Sequence, residues 1–313
     1  KIGSALLVDG SEVPLTHLRS GVWEGQYPSA AVDYRLVARF DGAPDWESDD
    51  PYRFAPTLGE LDLHLIGEGR HEELWRALGA HVMSITGAGK RGGATGAVAT
   101  GTTTGTAFAV WAPNAQAVRV VGDFNGWDGQ GHAMRSLGSS GVWELFVPGV
   151  GAGSSYKFEI LTADGRWITK ADPMARLAEV PPATASVVTA SNYSWNDDAW
   201  MQRRAASQPA TQPMSVYEVH FGSWRPGLGY VTAADQLIEY VLSQGFTHVE
   251  FMPLAEHPFG GSWGYQVTGY YAPTSRFGTP DELRLLIDRL HQAGIGVLMD
   301  WVPGHFPKDE FAL

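Results

Sequence analysis

Residues 247–302, "THVEFMPLAEHPFGGSWGYQVTGYYAPTSRFGTPDELRLLIDRLHQAGIGVLMDWV", decide the fold. The segment "THVEFMPLAE" is typical of a buried strand, "TPDELRLLIDRLHQAG" of an amphipathic helix and "IGVLMDWV" of another strand. The helix has clear boundaries. Thr279 is its N-cap, Pro280 its first position, Glu282 completes a capping box, and Gly294 is a suitable stop. Continuous apolar strands joined by such a helix predict a parallel sheet covered on both faces.

The same pattern begins one unit earlier in the chain. "SVYEVHFGSW", residues 215–224, predicts a first strand, and "TAADQLIEYVLSQGF", residues 232–246, predicts a helix capped by Thr232. The apolar face of this helix consists of Leu237, Ile238, Val241 and Leu242. Three strands alternating with two helices indicate the start of a (β/α)₈ barrel, whose complete form needs eight strands and about 250 residues.

The chain before residue 214 is dominated by short strand patterns separated by turns. An exception is "RHEELWRALGAHVM", residues 70–83, where the four-residue spacing of Leu74, Leu78 and Val82 predicts a helix. Residues 87–105 are almost entirely Gly, Ala and Thr, a composition typical of a flexible linker or a loose hairpin tip. The strand spacing after this segment predicts an antiparallel sandwich.

The predicted fold class is therefore multidomain, with two N-terminal β-sandwich modules followed by the first three strands of a (β/α)₈ TIM barrel that is incomplete in this chain. The predicted bounds are 1–86 for the first sandwich, 87–105 for the linker, 106–200 for the second sandwich, 201–213 for a polar connector and 214–313 for the start of the barrel.

Charge and composition exclude several classes of partner. The net charge is −12, which disfavours nucleic acid and an anionic membrane surface, since both need a basic face. No run of about 18 apolar residues is present, so no membrane span is predicted. The absence of cysteine predicts no disulfide and no thiolate metal site, and fits the cytoplasm. The 12 tryptophans suit a sugar-binding protein, since a flat ring matches the apolar face of a pyranose, but most tryptophans serve as core.

The most informative positions for function are those that follow the predicted barrel strands, where sites of this architecture form. The loop after the second strand has about 25 residues, against a usual 2–6, and loops of such length are functional or disordered. It carries five rings: Trp263, Tyr265, Tyr270, Tyr271 and Phe277. They either line a site or pack on one another to hold the loop together.

Asp300 follows the third strand, and His305 comes five residues later. The Asp300 carboxylate either orients other groups or caps a turn, and His305 can donate a hydrogen bond to a hydroxyl. The scattered histidines give no metal-ligand spacing, and no HExxH helix, GxSxG elbow or P-loop is present. The sequence therefore predicts neither a metal nor a cofactor.

These segments together resemble a known enzyme family. "VYEVHFGSW" and residues 245–313 are similar to the start of the catalytic barrel of bacterial glycogen branching enzymes, in the α-amylase superfamily. "FAVWAPNAQAVRVVGDFNGWDG" resembles the glycogen-binding-type sandwich that precedes this barrel, and "YRFAPTLGELDLHLIGEGRHEELWRALGAH" resembles the additional N-terminal module of the bacterial enzymes. "DWVPGHFPKD", with Pro303 and Gly304 before the histidine, is similar to the branching-enzyme form of the superfamily's first motif, in which many relatives have Asn.

The resemblance implies roles for particular residues. Tyr265 would lie under the sugar in the −1 subsite, His305 would hydrogen-bond that sugar, and Asp300 would organise the site. Trp263 and Gln266, on either side of Tyr265, are the remaining predicted substrate-binding residues. The catalytic nucleophile and the acid/base Glu of the family belong to later strands, so no catalytic residue is predicted within this chain, and the chain alone is expected to be inactive.

The function implied is that of a 1,4-α-glucan branching enzyme, a cytoplasmic, cofactor-free transferase of carbohydrate metabolism and glycogen biosynthesis, acting as a monomer on α-1,4-glucan. Two alternatives share its architecture: an isoamylase-type debranching enzyme and a maltooligosyl trehalohydrolase. A third, from another class, is a non-catalytic α-glucan-binding protein. Trp127, Trp143 and Trp167 are the candidate glycan contacts of the second sandwich, although a core role is expected for each.

Overall fold

The computed structural model of the chain describes residues 3–8, 10–27, 34–86 and 102–312, which divide into two compact units. The first unit comprises residues 1–120 and 128–151. One of its antiparallel sheets has the order β2-β1-β5-β6 and is formed by β1 (Gly3–Val8), β2 (Ser11–Pro14), β5 (Tyr34–Arg39) and β6 (Trp46–Asp49). A separate hairpin pairs β3 (Thr16–Arg19) with β4 (Val22–Glu24).

A second antiparallel sheet of the first unit has the order β10-β11-β8-β7. Its members are β7 (Gly79–Thr86), β8 (Thr102–Trp111), β10 (Arg135–Ser136) and β11 (Val142–Pro148). Phe54 packs edge-on against Phe146 with 4.8 Å between ring centroids, and both rings are fully buried. Two short helices, α1 (Glu60–Gly67) and α2 (Leu74–Ala77), complete the described part of this unit.

Two expectations for this region need correction. The helix predicted over residues 70–83 is confirmed only at Leu74–Ala77. It ends there because Gly79 adopts a positive φ of 100° and Gly79–Thr86 then pairs with β8 over its whole length. That tertiary pairing outweighs the four-residue apolar spacing. Residues 87–101 of the predicted linker lie outside the described residues. Its last four positions, 102–105, belong to β8, so one sheet extends across the predicted boundary between residues 86 and 106.

The second unit comprises residues 121–127 and 152–313, and β9 (Ala117–Gly122) runs from the first unit into it. The part of this unit before its parallel strands contains β12 (Ser155–Leu161) between β13 (Trp167–Lys170) and β14 (Ser186–Val187). Helix α3 (Asp198–Ala206) follows. The predicted 106–200 module therefore contributes strands to both units.

The predicted parallel sheet is present in the second unit. Strands β15 (Val216–Val219), β16 (His248–Phe251) and β19 (Gly296–Met299) pair in parallel and in chain order. Their connections contain α4 (Phe221–Trp224) and α5 (Tyr230–Ser243) after β15, and α6 (Pro280–Gln292) after β16. A small sheet of β17 (Ala255–Glu256) and β18 (Gly269–Pro273) forms inside the long loop. The core between sheet and helices includes the fully buried Tyr230, Leu237, Val249, Phe251 and Leu286.

The helix boundaries follow the sequence closely in α6 and less so in α5. The capping box at Thr279 and Glu282 is confirmed, with Pro280 first in the helix and Gly294 at a positive φ after its end. Thr232 does not precede α5 but lies in its first turn, where its hydroxyl accepts a hydrogen bond from the Gly229 N–H at 3.0 Å. Leu242, predicted on the apolar face, is 52% exposed.

Candidate glucan-binding site

The three parallel strands present two different faces. Side chains alternate along a strand, and Val219, Val249 and Phe251 pack into the core shared with α5 and α6. The intervening residues therefore face the opposite side of the sheet. There the register places Glu218 of β15 beside Glu250 of β16, and Glu250 beside Leu298 of β19. Two carboxylates thus lie next to each other on the face that does not contact the helices.

The central contact of the site joins Tyr265 to Asp300. Asp300 directly follows β19, and its N–H donates to the carbonyl of Phe251 at 2.9 Å, which fixes its backbone at the strand end. The Tyr265 hydroxyl donates to Asp300 Oδ2 at 2.8 Å across 35 residues of sequence. This bond to the carboxylate, followed by desolvation and the negative charges of Asp300, Glu218 and Glu250, raises the pKa of Tyr265. The phenol of Tyr265 therefore stays protonated beside these carboxylates and remains a hydrogen-bond donor.

The loop that carries Tyr265 is fixed at its base by Glu256, which is 4% exposed. One carboxylate oxygen accepts from Arg276 Nη1 at 2.8 Å and from the His257 N–H at 3.0 Å, and the other accepts from the Ser275 N–H at 2.7 Å. Arg276 also donates to Thr274 Oγ1 at 3.1 Å. A charge buried this deeply is stable only when it is paired and hydrogen-bonded, as Glu256 is. The base of the loop is therefore held together by the ion pair of Glu256 and Arg276, which we call the Glu256–Arg276 clip.

The other predicted substrate-binding residues lie on exposed parts of the site. Trp263 is 54% exposed and stacks on His220, with 5.1 Å between ring centroids and 29° between planes. Gln266 and His305 are both exposed, and they line one surface hollow of about 380 Å³ together with Lys308. The structure thus brings Tyr265 to Asp300 and Gln266 to the His305 segment.

The five rings of the loop divide between the two roles considered for them. Phe277 packs against Phe221 at 4.9 Å in the core, and Tyr270 packs against Trp301 and Phe306 at 5.8 and 5.7 Å. Packing alone accounts for Phe277 and largely for Tyr270. Trp263 and Tyr271 remain exposed, and Tyr265 is committed to Asp300.

The sequence analysis did not predict four features of the candidate site. They are Glu218, Glu250, His220 and the Glu256–Arg276 clip. A signal existed for the first two, since Glu218 and Glu250 interrupt otherwise apolar strands at alternating positions. The stacking of His220 and the closure of the clip depend on tertiary contacts between the strand ends and the loop, so spacing along the chain does not reveal them.

The exposure of the candidate tryptophans also differs from expectation. Trp127 and Trp167 are 42% and 41% exposed, so the core role expected for them is wrong. Trp143 is partly buried, and its indole N–H donates to the carbonyl of Ala112 at 3.1 Å. In the described part of the chain, no group of three His, Cys, Asp or Glu side chains is placed to hold a metal ion. No helix there is both long enough and apolar enough to cross a membrane.

Comparison with known protein families shows which families two segments of the chain resemble. Residues 94–175 match the family model of carbohydrate-binding module 48, the isoamylase N-terminal domain, and residues 221–312 match the α-amylase catalytic domain. A 1.4 Å crystal structure from Salmonella typhimurium, provisionally assigned as an α-amylase, superposes with a TM-score of 0.52 at 29% identity, covering 65% of this chain and 32% of that one. Two segments of the chain are thus similar to a carbohydrate-binding module and to an α-amylase catalytic domain.

The similarity is closer to a particular group within that class. The chain is 62% identical to the 1,4-alpha-glucan branching enzyme of Leifsonia xyli subsp. xyli over 309 residues, and 63% identical to that of Thermobifida fusca over 309 residues. These alignments cover 99% and 98% of this chain but 40% of each relative. The resemblance to bacterial glycogen branching enzymes is therefore confirmed, and the chain spans about two fifths of the length of these relatives.

Proposed function

We propose that the protein carrying this chain is a 1,4-α-glucan branching enzyme that cleaves an α-1,4 linkage and transfers the released chain to a 6-hydroxyl. The observation that carries this proposal is the identity of 62% and 63% to curated branching enzymes over almost all of this chain. The Tyr265–Asp300 contact at the ends of parallel strands supports it, because this is where sites of such barrels form.

In this proposal the described residues bind and orient the sugar. Tyr265 provides a flat ring beneath the −1 sugar, and Asp300 fixes that ring through the 2.8 Å hydrogen bond. His305, which is exposed, donates to a sugar hydroxyl. Trp263 and Gln266 contact other glucose residues of the same glucan. Preorganised contacts of this kind contribute to rate by holding the reacting bond in position.

The bond-breaking step requires two further carboxyl groups. A retaining double displacement uses a nucleophilic carboxylate and an acid/base carboxyl about 5 Å apart, and forms a covalent glycosyl-enzyme intermediate. The 6-hydroxyl of a second glucan chain then replaces water as the acceptor. We assign both groups to the part of the enzyme outside these 313 residues. Asp300 does not take the nucleophile's role, since the resemblance places that residue after a later strand.

The test is an iodine-stained amylose assay on the protein expressed from its full reading frame. A branching enzyme shifts and weakens the iodine absorbance without releasing reducing sugar at a matching rate. Hydrolysis of added α-1,6 linkages would indicate a debranching enzyme instead, and release of trehalose a trehalohydrolase. The isolated 313-residue chain serves as a comparison and is expected to be inactive, so branching by the pure chain would contradict the assignment of the catalytic groups.

A second, non-catalytic role is favoured by the exposed tryptophans. We infer that Trp127 and Trp167, each more than 40% exposed, contact α-glucan in the carbohydrate-binding module. Trp143 is less suited because its indole N–H is already used by Ala112. Replacing Trp167 by Ala should weaken retention on immobilised glycogen, whereas Trp143→Phe serves as the matched variant. If binding is unchanged in Trp127→Ala and Trp167→Ala while glucan is still turned over, this assignment fails independently of the first.

The predicted module bounds, with the linker ending before residue 102, belong to the same proposal, as do the monomeric state and the cytoplasmic location. The acidic net charge of −12 and the absence of cysteine are compatible with that state and that location.

A further inference from the structure

A second cavity lies beside the Tyr265–Asp300 contact and is lined by neither residue. It has a volume of about 250 Å³ and lies at the carboxyl ends of β15 and β16, with His220, Pro253, His257, Trp263, Arg276 and Phe277 in its walls. Pockets for drug-sized ligands begin at about 300 Å³. The size of this cavity therefore suits one small ring rather than an oligosaccharide.

His257, which lines this cavity, has a ring nitrogen that no described hydrogen bond uses. The residue is only 5% exposed, and its Nδ1 lies 2.9 Å from the carbonyl of Ala255. Since a carbonyl only accepts, Nδ1 must carry the proton. Burial lowers the pKa of His257, so the ring is neutral near pH 7 and Nε2 presents a lone pair. Within the described residues, Nε2 has no hydrogen-bond partner.

Trp263 brings an apolar platform to the same cavity. Its backbone has a φ of 57° and a ψ of 23°, an unusual conformation for a bulky residue that persists only where the surroundings enforce it. Here a Cβ on the neighbouring Gly264 would overlap the carbonyl of Pro253, so the loop is held tightly at this point. One part of the indole rests on His220, whose Nδ1 lies 2.7 Å from Ser223 Oγ. The remaining indole surface is exposed.

We propose that this cavity is an additional sugar subsite, in which a glucose residue of the bound chain packs on Trp263 and donates a hydroxyl hydrogen bond to His257 Nε2. The substrate class rests on the proposed function. His257 also lines a neighbouring hollow of about 220 Å³, whose walls include alanine and proline side chains, acidic side chains and the Phe311 ring. That ring is only partly exposed, whereas Trp263 is 54% exposed and offers the larger face to a pyranose. The aromatic platform therefore selects the cavity beside Trp263.

Two substitutions of His257 distinguish the contribution of Nδ1 from that of Nε2. In His257→Asn the amide nitrogen takes the place of Nδ1 and keeps the bond to Ala255, while the Nε2 acceptor is lost. In His257→Gln an amide oxygen can reach the Nε2 position. In the full-length protein we expect His257→Asn to raise KM for amylose about 3- to 10-fold with little change in kcat, and His257→Gln to recover part of the loss. His64→Asn, at a side chain that is 65% exposed, is the control.

The outcomes distinguish this inference from the proposed function. If the wild-type protein branches amylose and His257→Asn has an unchanged KM, the subsite is wrong and the function stands. If both His257 variants lose thermal stability and kcat equally, the residue is structural and the inference also fails. If the wild-type protein does not branch, calorimetric titration with maltoheptaose decides, and equal affinity of wild type and His257→Asn overturns the subsite. Should His257→Asn not fold, Trp263→Leu is the substitute, and an unchanged KM there has the same meaning.

Discussion

The loop between β16 and α6 has a base, which includes Glu256 and Arg276, and a rim, which includes Trp263, Tyr265 and Gln266. These two parts differ sharply in burial and in hydrogen bonding. At the base, Glu256 is 4% exposed and accepts hydrogen bonds from three donors, one of them the Arg276 guanidinium. At the rim, Trp263 is 54% exposed and Gln266 is exposed. The two parts of the loop therefore have different roles. The base holds the backbone in place, and the rim keeps surfaces available to a ligand.

The largest effect should come from opening the base. Glu256→Ala removes the carboxylate that pairs with Arg276, whose side chain is 22% exposed. Breaking a buried ion pair on one side costs about 3–5 kcal/mol, so we expect a loss of stability of that size in urea unfolding of the full-length protein. Glu12→Ala, which removes an exposed partner of Arg39, is the matched control and should lower stability far less than Glu256→Ala. Equal losses in the two variants would mean that the base is not a structural clip.

The rim should show the opposite behaviour, with turnover affected more than folding. Tyr265→Ala removes the ring and its hydrogen bond to Asp300. We expect kcat for branching to fall about 100-fold, or about 2.7 kcal/mol in barrier height, while the free energy of unfolding falls by less than about 1.5 kcal/mol. The measurements are an iodine-stained branching assay and circular dichroism on the same preparation. An unfolded Tyr265→Ala protein would place Tyr265 with the base.

A smaller effect is expected where the loop ends. Thr279 accepts a hydrogen bond from the Glu282 N–H at 3.3 Å, and Glu282 accepts one from the Thr279 N–H at 2.7 Å. Thr279→Ala should lower stability by about 1 kcal/mol through loss of the N-cap, with kcat unchanged. Thr279→Ser retains the cap and should behave as wild type in thermal unfolding. A fall in kcat that exceeds the fall in stability would extend the functional rim to this residue.

The smallest effect should come from the exposed side of α5. Leu242 is 52% exposed, whereas Leu237 is fully buried in the core between the three parallel strands and their helices. Leu242→Gln should therefore change stability by less than about 0.5 kcal/mol, and Leu237→Ala should lower it by about 2–5 kcal/mol. Urea unfolding of both variants checks the pair. Comparable losses would mean that Leu242 is buried by a surface outside the described residues.

The sequence predicted the parallel strands and α6 well because their signals are local. Apolar runs identify β15, β16 and β19, and the capping box at Thr279 lies within four residues. The strand-end rule then singled out Asp300, which the structure places in contact with Tyr265. The pairing of β7 with β8 and the exposure of Leu242 were missed, since both depend on contacts remote in the chain.

The same limit applies within the candidate site. Tyr265, Asp300 and His305 were predicted from the strand-end rule and from motifs of the family that the chain resembles, whereas the clip at Glu256 joins residues 20 positions apart through folding of the loop. His257 carries no motif of its own, and its free nitrogen becomes visible only when the partner of the other nitrogen is known.

The most direct test of the account is the number of α-1,6 linkages formed per folded molecule when amylose is incubated with the full-length protein or its Tyr265→Ala variant. Proton magnetic resonance of the anomeric region counts these linkages. The account predicts new α-1,6 signals with the wild-type protein and a roughly 100-fold slower appearance with the folded variant. No new α-1,6 signals with wild type, or equal rates in the two proteins, would contradict it.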